Sequence, residues 1–210
     1  MIPTFPVYVF DVDGTLLDSA GDICGAMQTV LKTMNRTDVS DVFLRRYIGK
    51  HLNELFLDLG FAPDEFETLL VEYRAVYPAR KHGMTKVYPG VADALARLGG
   101  RKSTATTKGT PTTITVLEQF GLIQHFHLVQ GTDGFPAKPE PDVLKKTLEA
   151  FDVAPDQCLF IGDSAADMEA GHRLGMPTCA VRYGYGDHAE MAKWSPDFWI
   201  DDLNELVPAG

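Results

Sequence analysis

The chain has 210 residues, 45% hydrophobic and 23% charged, the makeup of a globular protein with one large core or a core domain plus a smaller insert. Its 19 basic residues face 29 acidic ones, a net charge of −10 that argues against nucleic acid or an anionic membrane as partner. Three cysteines without a CxxC pair, no signal-peptide start and no apolar run near the roughly 20 residues of a membrane span point to the cytoplasm.

The first predicted element is a strand, Val7-Tyr8-Val9-Phe10, an apolar run closed by Asp11. Asp13 and Asp18 follow, and Gly14 suits the sharp turn that Thr15 can brace. Residues 19–86 then carry helical patterns. Ile23, Ala26, Met27, Val30, Leu31 and Met34 form one stripe, shorter patterns lie near 40–47 and 51–59, and a longer one runs from Pro63 to about Pro78. No strand is expected there. The simplest arrangement is an all-helical unit, 18–86, inserted after the first strand, with hinges near Leu17–Ala20 and His82–Tyr88. The core is then 1–17 and 87–210. A helix starts at Pro89. Strands are expected at Ser103–Thr106, His127–Val129, Cys158–Ile161, Thr178–Val181 and Phe198–Ile200. Helices at Thr110–Phe120, Pro139–Phe151 and Ala165–Leu174 alternate with them. This alternation predicts an α/β fold whose parallel sheet is covered on both faces.

In such a sheet ligands bind beyond the carboxyl ends of the strands. Asp11 and Asp13 follow the first strand, Thr106, Thr107 and Lys108 the Ser103 strand, Lys138 the His127 strand, and Asp163 and Asp167 the Cys158 strand. Carboxylates converging from two strands call for a cation, and an oxygen-rich set suits Mg²⁺. Blander uses exist for each residue. The acidic turn can be solvated, Asp163 can cap a helix, Lys138 can be an ordinary surface lysine, and Thr106 can simply favour a strand end. In "LRRYIGKHL", 44–52, Arg46, Lys50 and His51 cluster around Gly49. That cluster is either a contact for an anionic group or a solvated helix face. Cys24, His125 and His127 read as structural, since no partner spacing suggests a zinc site.

The segments "DVDGTLLDS", "TTK", "KPEP" and "GDSAAD", in that order and supported by "YPGV" and "AGHRLGMPT", resemble the haloacid-dehalogenase superfamily, in particular its phosphoglycolate phosphatase-like branch. The resemblance covers nearly the whole chain. It implies a Rossmann-like core with a helical cap, and a Mg²⁺-dependent hydrolase acting on a small phosphorylated metabolite through a phosphoaspartate. It makes Asp11 the nucleophile and Asp13 the acid that protonates the leaving alkoxide and then activates water. It assigns Mg²⁺ to the Asp11 side chain, the Asp13 backbone carbonyl and Asp163, with Asp167 as ligand or outer partner. Thr106 would donate its hydroxyl and Thr107 its backbone N–H to the phosphoryl oxygens. Lys138 would supply positive charge, and a cap loop holding Arg46 and Lys50 would face the site. Close relatives usually carry asparagine where Thr107 stands, so no side-chain amide is available there. A sugar phosphomutase on the same scaffold and a non-catalytic metabolite-binding regulator are the rival readings. A dehalogenase would need neither the acid at position 13 nor a metal. Monomer and homodimer both stay open.

Overall fold

A computed structural model gives the fold, and residues 2–208 are described. The elements in chain order are β1 (Val7–Phe10), β2 (Leu17–Asp18), α1 (Ala20–Thr33), α2 (Asp41–Arg45), α3 (Leu52–Asp58), α4 (Phe66–Ala79), β3 (Lys86–Val87), α5 (Val91–Arg97), β4 (Arg101–Thr104), α6 (Thr110–Gln119), α7 (Asp142–Phe151), β5 (Cys158–Gly162), α8 (Ala165–Leu174), β6 (Thr178–Val181), α9 (His188–Ala192) and β7 (Phe198–Ile200). Five strands form one parallel sheet in the order β4-β1-β5-β6-β7. Successive residues of β1 point to opposite faces. Tyr8 and Phe10 pack with Leu95, Leu117 and Leu159 on one side, while Val7 and Val9 pack with Val143, Leu144 and Phe160 on the other. Every residue of β1 is buried, as a strand covered on both faces requires.

Two element expectations in the second half of the chain need correction. The strand expected at His127–Val129 contracts to one bridge, Leu128 beside Ser103. The Thr104 hydroxyl takes over what a longer ladder would supply, accepting from the Gln130 N–H at 2.8 Å and donating to its carbonyl at 3.0 Å. The helix expected from Pro139 begins instead at Asp142. Proline at 141 disfavours helical dihedrals at Glu140 and so delays the first turn.

The segment between β1 and β4 gathers its own apolar cluster. Ile23, Met27, Val30 and Leu31 of α1 meet Leu44, Leu55, Phe56, Phe66, Leu69 and Tyr77. Strands were not expected near its ends, yet β2 and β3 pair antiparallel there, Leu17 with Val87 and Asp18 with Lys86. At two residues each, they are too short to show a period of two. No helix among the described residues is long and apolar enough to cross a membrane.

Asp22 fastens this ribbon to α1. Its buried carboxylate accepts from the Met84 N–H at 2.9 Å, the Thr85 hydroxyl at 2.8 Å and Arg80 Nε at 3.3 Å. Asp22→Ala would strand all three donors, the Thr85 hydroxyl in a buried place. The expected cost is about 2–4 kcal/mol in urea unfolding. A loss under about 0.5 kcal/mol would show that water replaces the carboxylate without penalty.

Candidate active site

The ladder does not stop at Phe10. The Asp11 N–H donates to the Ile161 carbonyl at 2.8 Å, and the Ala105 N–H donates to the Phe10 carbonyl at 2.8 Å. The backbone of Asp11 is therefore as fixed as the sheet itself, and its side chain emerges at the carboxyl ends of β1, β4 and β5, where strand order switches. Its carboxylate is 1% exposed. Among the described residues, neither oxygen has a hydrogen-bond partner. Lys138 Nζ stands 2.9 Å from Oδ1, close enough for an ion pair but not aligned as a donor.

The other acids are held differently. Asp163 Oδ1 accepts from the Thr15 hydroxyl at 3.1 Å, and its Oδ2 accepts from the Tyr185 N–H at 2.8 Å. Gly14 has φ +95, and a Cβ there would fall 2.1 Å from Asp163 Oδ2, so both the turn and the close approach require glycine. Asp167 Oδ1 accepts from Lys138 Nζ at 2.5 Å, and its Oδ2 from the Ser164 N–H at 3.0 Å and hydroxyl at 2.6 Å. One carboxylate oxygen each from Asp11, Asp163 and Asp167 lies within 4.8 Å of the others. Asp18 stands apart, its Oδ1 accepting from the Tyr185 hydroxyl at 2.7 Å.

Three buried carboxylates make a site short of positive charge. Burial pushes the Asp11 carboxyl up to about 7, with Asp167 and Asp13 adding to the effect and Lys138 opposing it. Burial likewise holds Asp163 well above the usual carboxylate range, with Asp11 and Asp167 contributing. Burial works against the charge on Lys138, yet Asp11 and Asp167 together keep its ammonium above the ordinary lysine range. One lysine cannot balance three acids. Ionising all three calls for further positive charge, and the Asp11 oxygens, without hydrogen-bond partners among the described residues, lie where it would act.

Asp13 sits toward the open side. Its Oδ1 accepts from the Ser19 hydroxyl at 2.6 Å, and its Oδ2 lies 3.1 Å from Lys108 Nζ. Lys108 also donates to the Tyr77 hydroxyl of α4 at 2.9 Å, bridging the sheet end to the helical insert. Sequence reasoning placed Lys108 at a strand end without giving it a task. The available signal was its place in "TTK", which a solvated lysine shares. Ser19 was not singled out although it closes the "DVDGTLLDS" segment six residues from Asp13, and Tyr185 was missed because its partners Asp18, Ser19 and Ala20 are distant in sequence. Thr106 is buried beside the acids with its hydroxyl accepting from the Lys108 N–H at 3.3 Å, and Thr107 lines the cleft above.

That cleft has a volume of about 780 Å³ and runs from Asp13, Thr107 and Lys108 to α1, α4 and the 47–52 segment. Lys50 and His51 line it; Arg46 does not. Arg46 is the exposed C-cap residue of α2 and is not among the residues lining the cleft.

A family model for haloacid dehalogenase-like hydrolases matches residues 8–181. A phosphoglycolate phosphatase from Pseudomonas savastanoi is 31% identical over 95% of this chain and 78% of its own length. One from Mesorhizobium japonicum is 31% identical over 96% of this chain and 93% of its own. Among solved structures, a predicted phosphatase from Clostridium acetobutylicum superposes with a TM-score of 0.90 at 26% identity, covering 97% of each chain. A predicted phosphoglycolate phosphatase from Haemophilus somnus gives 0.85 at 26% identity, covering 98% of each.

Proposed function

The chain belongs to the haloacid dehalogenase-like hydrolases and is a phosphatase of that family, and from this premise we propose that it hydrolyses a small phosphomonoester by way of a phosphoaspartate at Asp11, with Mg²⁺ as cofactor. The supporting observation is the pair of buried Asp11 oxygens that lack partners while Asp163, Asp167 and Lys138 close around them. That donor set fits a hard divalent cation, which takes carboxylate and carbonyl oxygens and keeps some water. The Asp11 side chain, the Asp13 carbonyl and Asp163 would hold it. Asp167 has both oxygens engaged by Lys138 and Ser164, so its task is to position that lysine. When bound, the ion neutralises charge on the phosphoryl group.

The remaining steps belong to the side chains. Asp11 is aligned by the sheet and carries a free oxygen to attack phosphorus, and the P–O bond to the leaving group breaks as the P–O bond to Asp11 forms. Lys138, beside Asp11, offsets charge on the transferring group, and the Thr106 hydroxyl and Thr107 N–H are at the strand end to receive its oxygens. Asp13 delivers a proton to the departing alkoxide and then takes one from the water that cleaves the acyl phosphate, releasing inorganic phosphate and restoring Asp11. Ser19 and Lys108 fix the Asp13 carboxylate for both transfers. The helical unit 18–86 acts as the cap that excludes bulk water. Phosphoglycolate is the reference substrate, on the names of the relatives.

Chelation tests this. With EDTA, phosphate release is expected to fall by at least about 100-fold and to return on adding Mg²⁺. The metal should also stabilise the fold, by about 2.7 kcal/mol at a hundred times its Kd. Turnover indifferent to EDTA, or isomerisation of a sugar 1-phosphate without phosphate release, would overturn the proposal.

A further inference from the structure

The cleft is larger and more apolar than a two-carbon phosphate ester requires. Its volume of about 780 Å³ falls in the range that accepts drug-sized ligands. It reaches Asp13 at one end, so the alcohol part of a phosphomonoester held at Asp11 can extend into it. Ile23 and Met27 of α1, Ile48, Leu52 and Leu70 form its far wall. Tyr73 and Tyr77 stack beside them, ring centroids 5.6 Å apart and planes 10° from parallel. The basic groups lining the cleft are either engaged or exposed. Lys108 is bound to Asp13 at 3.1 Å and to the Tyr77 hydroxyl at 2.9 Å. Lys50 and Arg74 are largely solvent-exposed, and pair with Glu54 at 3.9 Å and Glu67 at 3.3 Å. A carboxylate extending from the phosphate into this wall would be desolvated against isoleucine, methionine and leucine, because Lys50, His51 and Arg74 all stand on the exposed side of the cleft.

Resting on the phosphatase reading above, we propose that the preferred substrate is a phosphomonoester whose alcohol carries an apolar, preferably aromatic, body seated against Leu70 and Tyr73. A flat ring fits beside the tyrosine pair, in offset or edge contact. The body excludes water from the wall and anchors the ester, leaving the C–O–P unit at Asp11.

Calorimetry with non-hydrolysable phosphonates in the presence of Mg²⁺ separates the possibilities. 2-Phenylethylphosphonate is expected to bind about tenfold or more tightly than ethylphosphonate, and more tightly than 3-phosphonopropionate, which copies phosphoglycolate. In turnover, kcat/KM for 2-phenylethyl phosphate should exceed that for ethyl phosphate by a similar factor, since the two leaving groups are electronically alike. Leu70→Asn and Tyr73→Ala alter side chains that are only partly buried, so each should fold, as a thermal melt would show, and each should pull the ratio toward one. Tightest binding by 3-phosphonopropionate, or a ratio at or below one in the unaltered protein, would overturn the proposal, as would a ratio that neither variant changes. No phosphate release from any ester would instead sink the phosphatase reading, while the phosphonates, which need no turnover, still report the wall's preference.

Discussion

Asp11→Asn is expected to lower kcat for phosphate release by at least about 1000-fold while the protein stays folded. The amide matches the carboxylate in shape, so nothing around it need move. What disappears is the negative oxygen that attacks phosphorus, and an amide cannot replace it at neutral pH. The fold should tolerate the change because both Asp11 oxygens lack hydrogen-bond partners among the described residues and its neighbours are themselves acids. Removing one buried like charge removes its repulsion with the other acids, which offsets the loss of the ion pair to Lys138. Asp11→Glu should be equally inactive, since an extra methylene pushes the carboxylate into space already occupied by Lys138 and the metal ligands. Steady-state phosphate assays beside circular dichroism decide the matter. Activity within about tenfold of the unaltered protein, in a sample free of wild-type contamination, would remove Asp11 from the chemistry.

What the sequence revealed and what it hid have one physical origin. Asp11, Asp13 and Asp163 were legible because a carboxylate straight after an apolar strand lands at the end of a parallel sheet wherever the chain goes next. The sheet itself was legible from short apolar runs separated by helical stripes. The fine placement was not. Thr104 replaced a strand's ladder at Gln130 through a side-chain hydroxyl, which no hydrophobic pattern records. Lys108 acquired its place from Tyr77 and Asp13, and Tyr185 from Ser19, Ala20 and Asp18 across the fold. Such pairs are set by tertiary contact. Arg46 and Lys50 looked alike as members of one basic cluster, although Lys50 lines the cleft and Arg46 does not.

The second large effect is on stability. Lys138→Met is expected to cost about 3–5 kcal/mol in the metal-free protein, the usual penalty for breaking a buried ion pair from one side. At about 2–4 °C per kcal/mol for a chain of this size, the Tm should fall by roughly 6–20 °C. Methionine fills much the same volume, so the loss is electrostatic. The lysine side chain is fully buried, lies 2.9 Å from Asp11 and 2.5 Å from Asp167, and donates to the Ala105 carbonyl at 3.0 Å. Without it, the buried acids lose the ammonium beside them and must take up protons to stay in place, which costs stability at neutral pH. Mg²⁺ should recover part of the deficit, because a cation held by Asp11 and Asp163 supplies what the lysine no longer does. It cannot recover all of it, since Asp167 would still point at an uncharged neighbour. Lys138→Arg should not rescue, because a guanidinium is too large for a fully enclosed site and would force the Asp11 loop outward. Urea unfolding with and without Mg²⁺ measures both quantities. A metal-free loss below about 1 kcal/mol would mean that the acids are already neutral in the folded protein, and the charge deficit taken here as the reason for the cation would not exist.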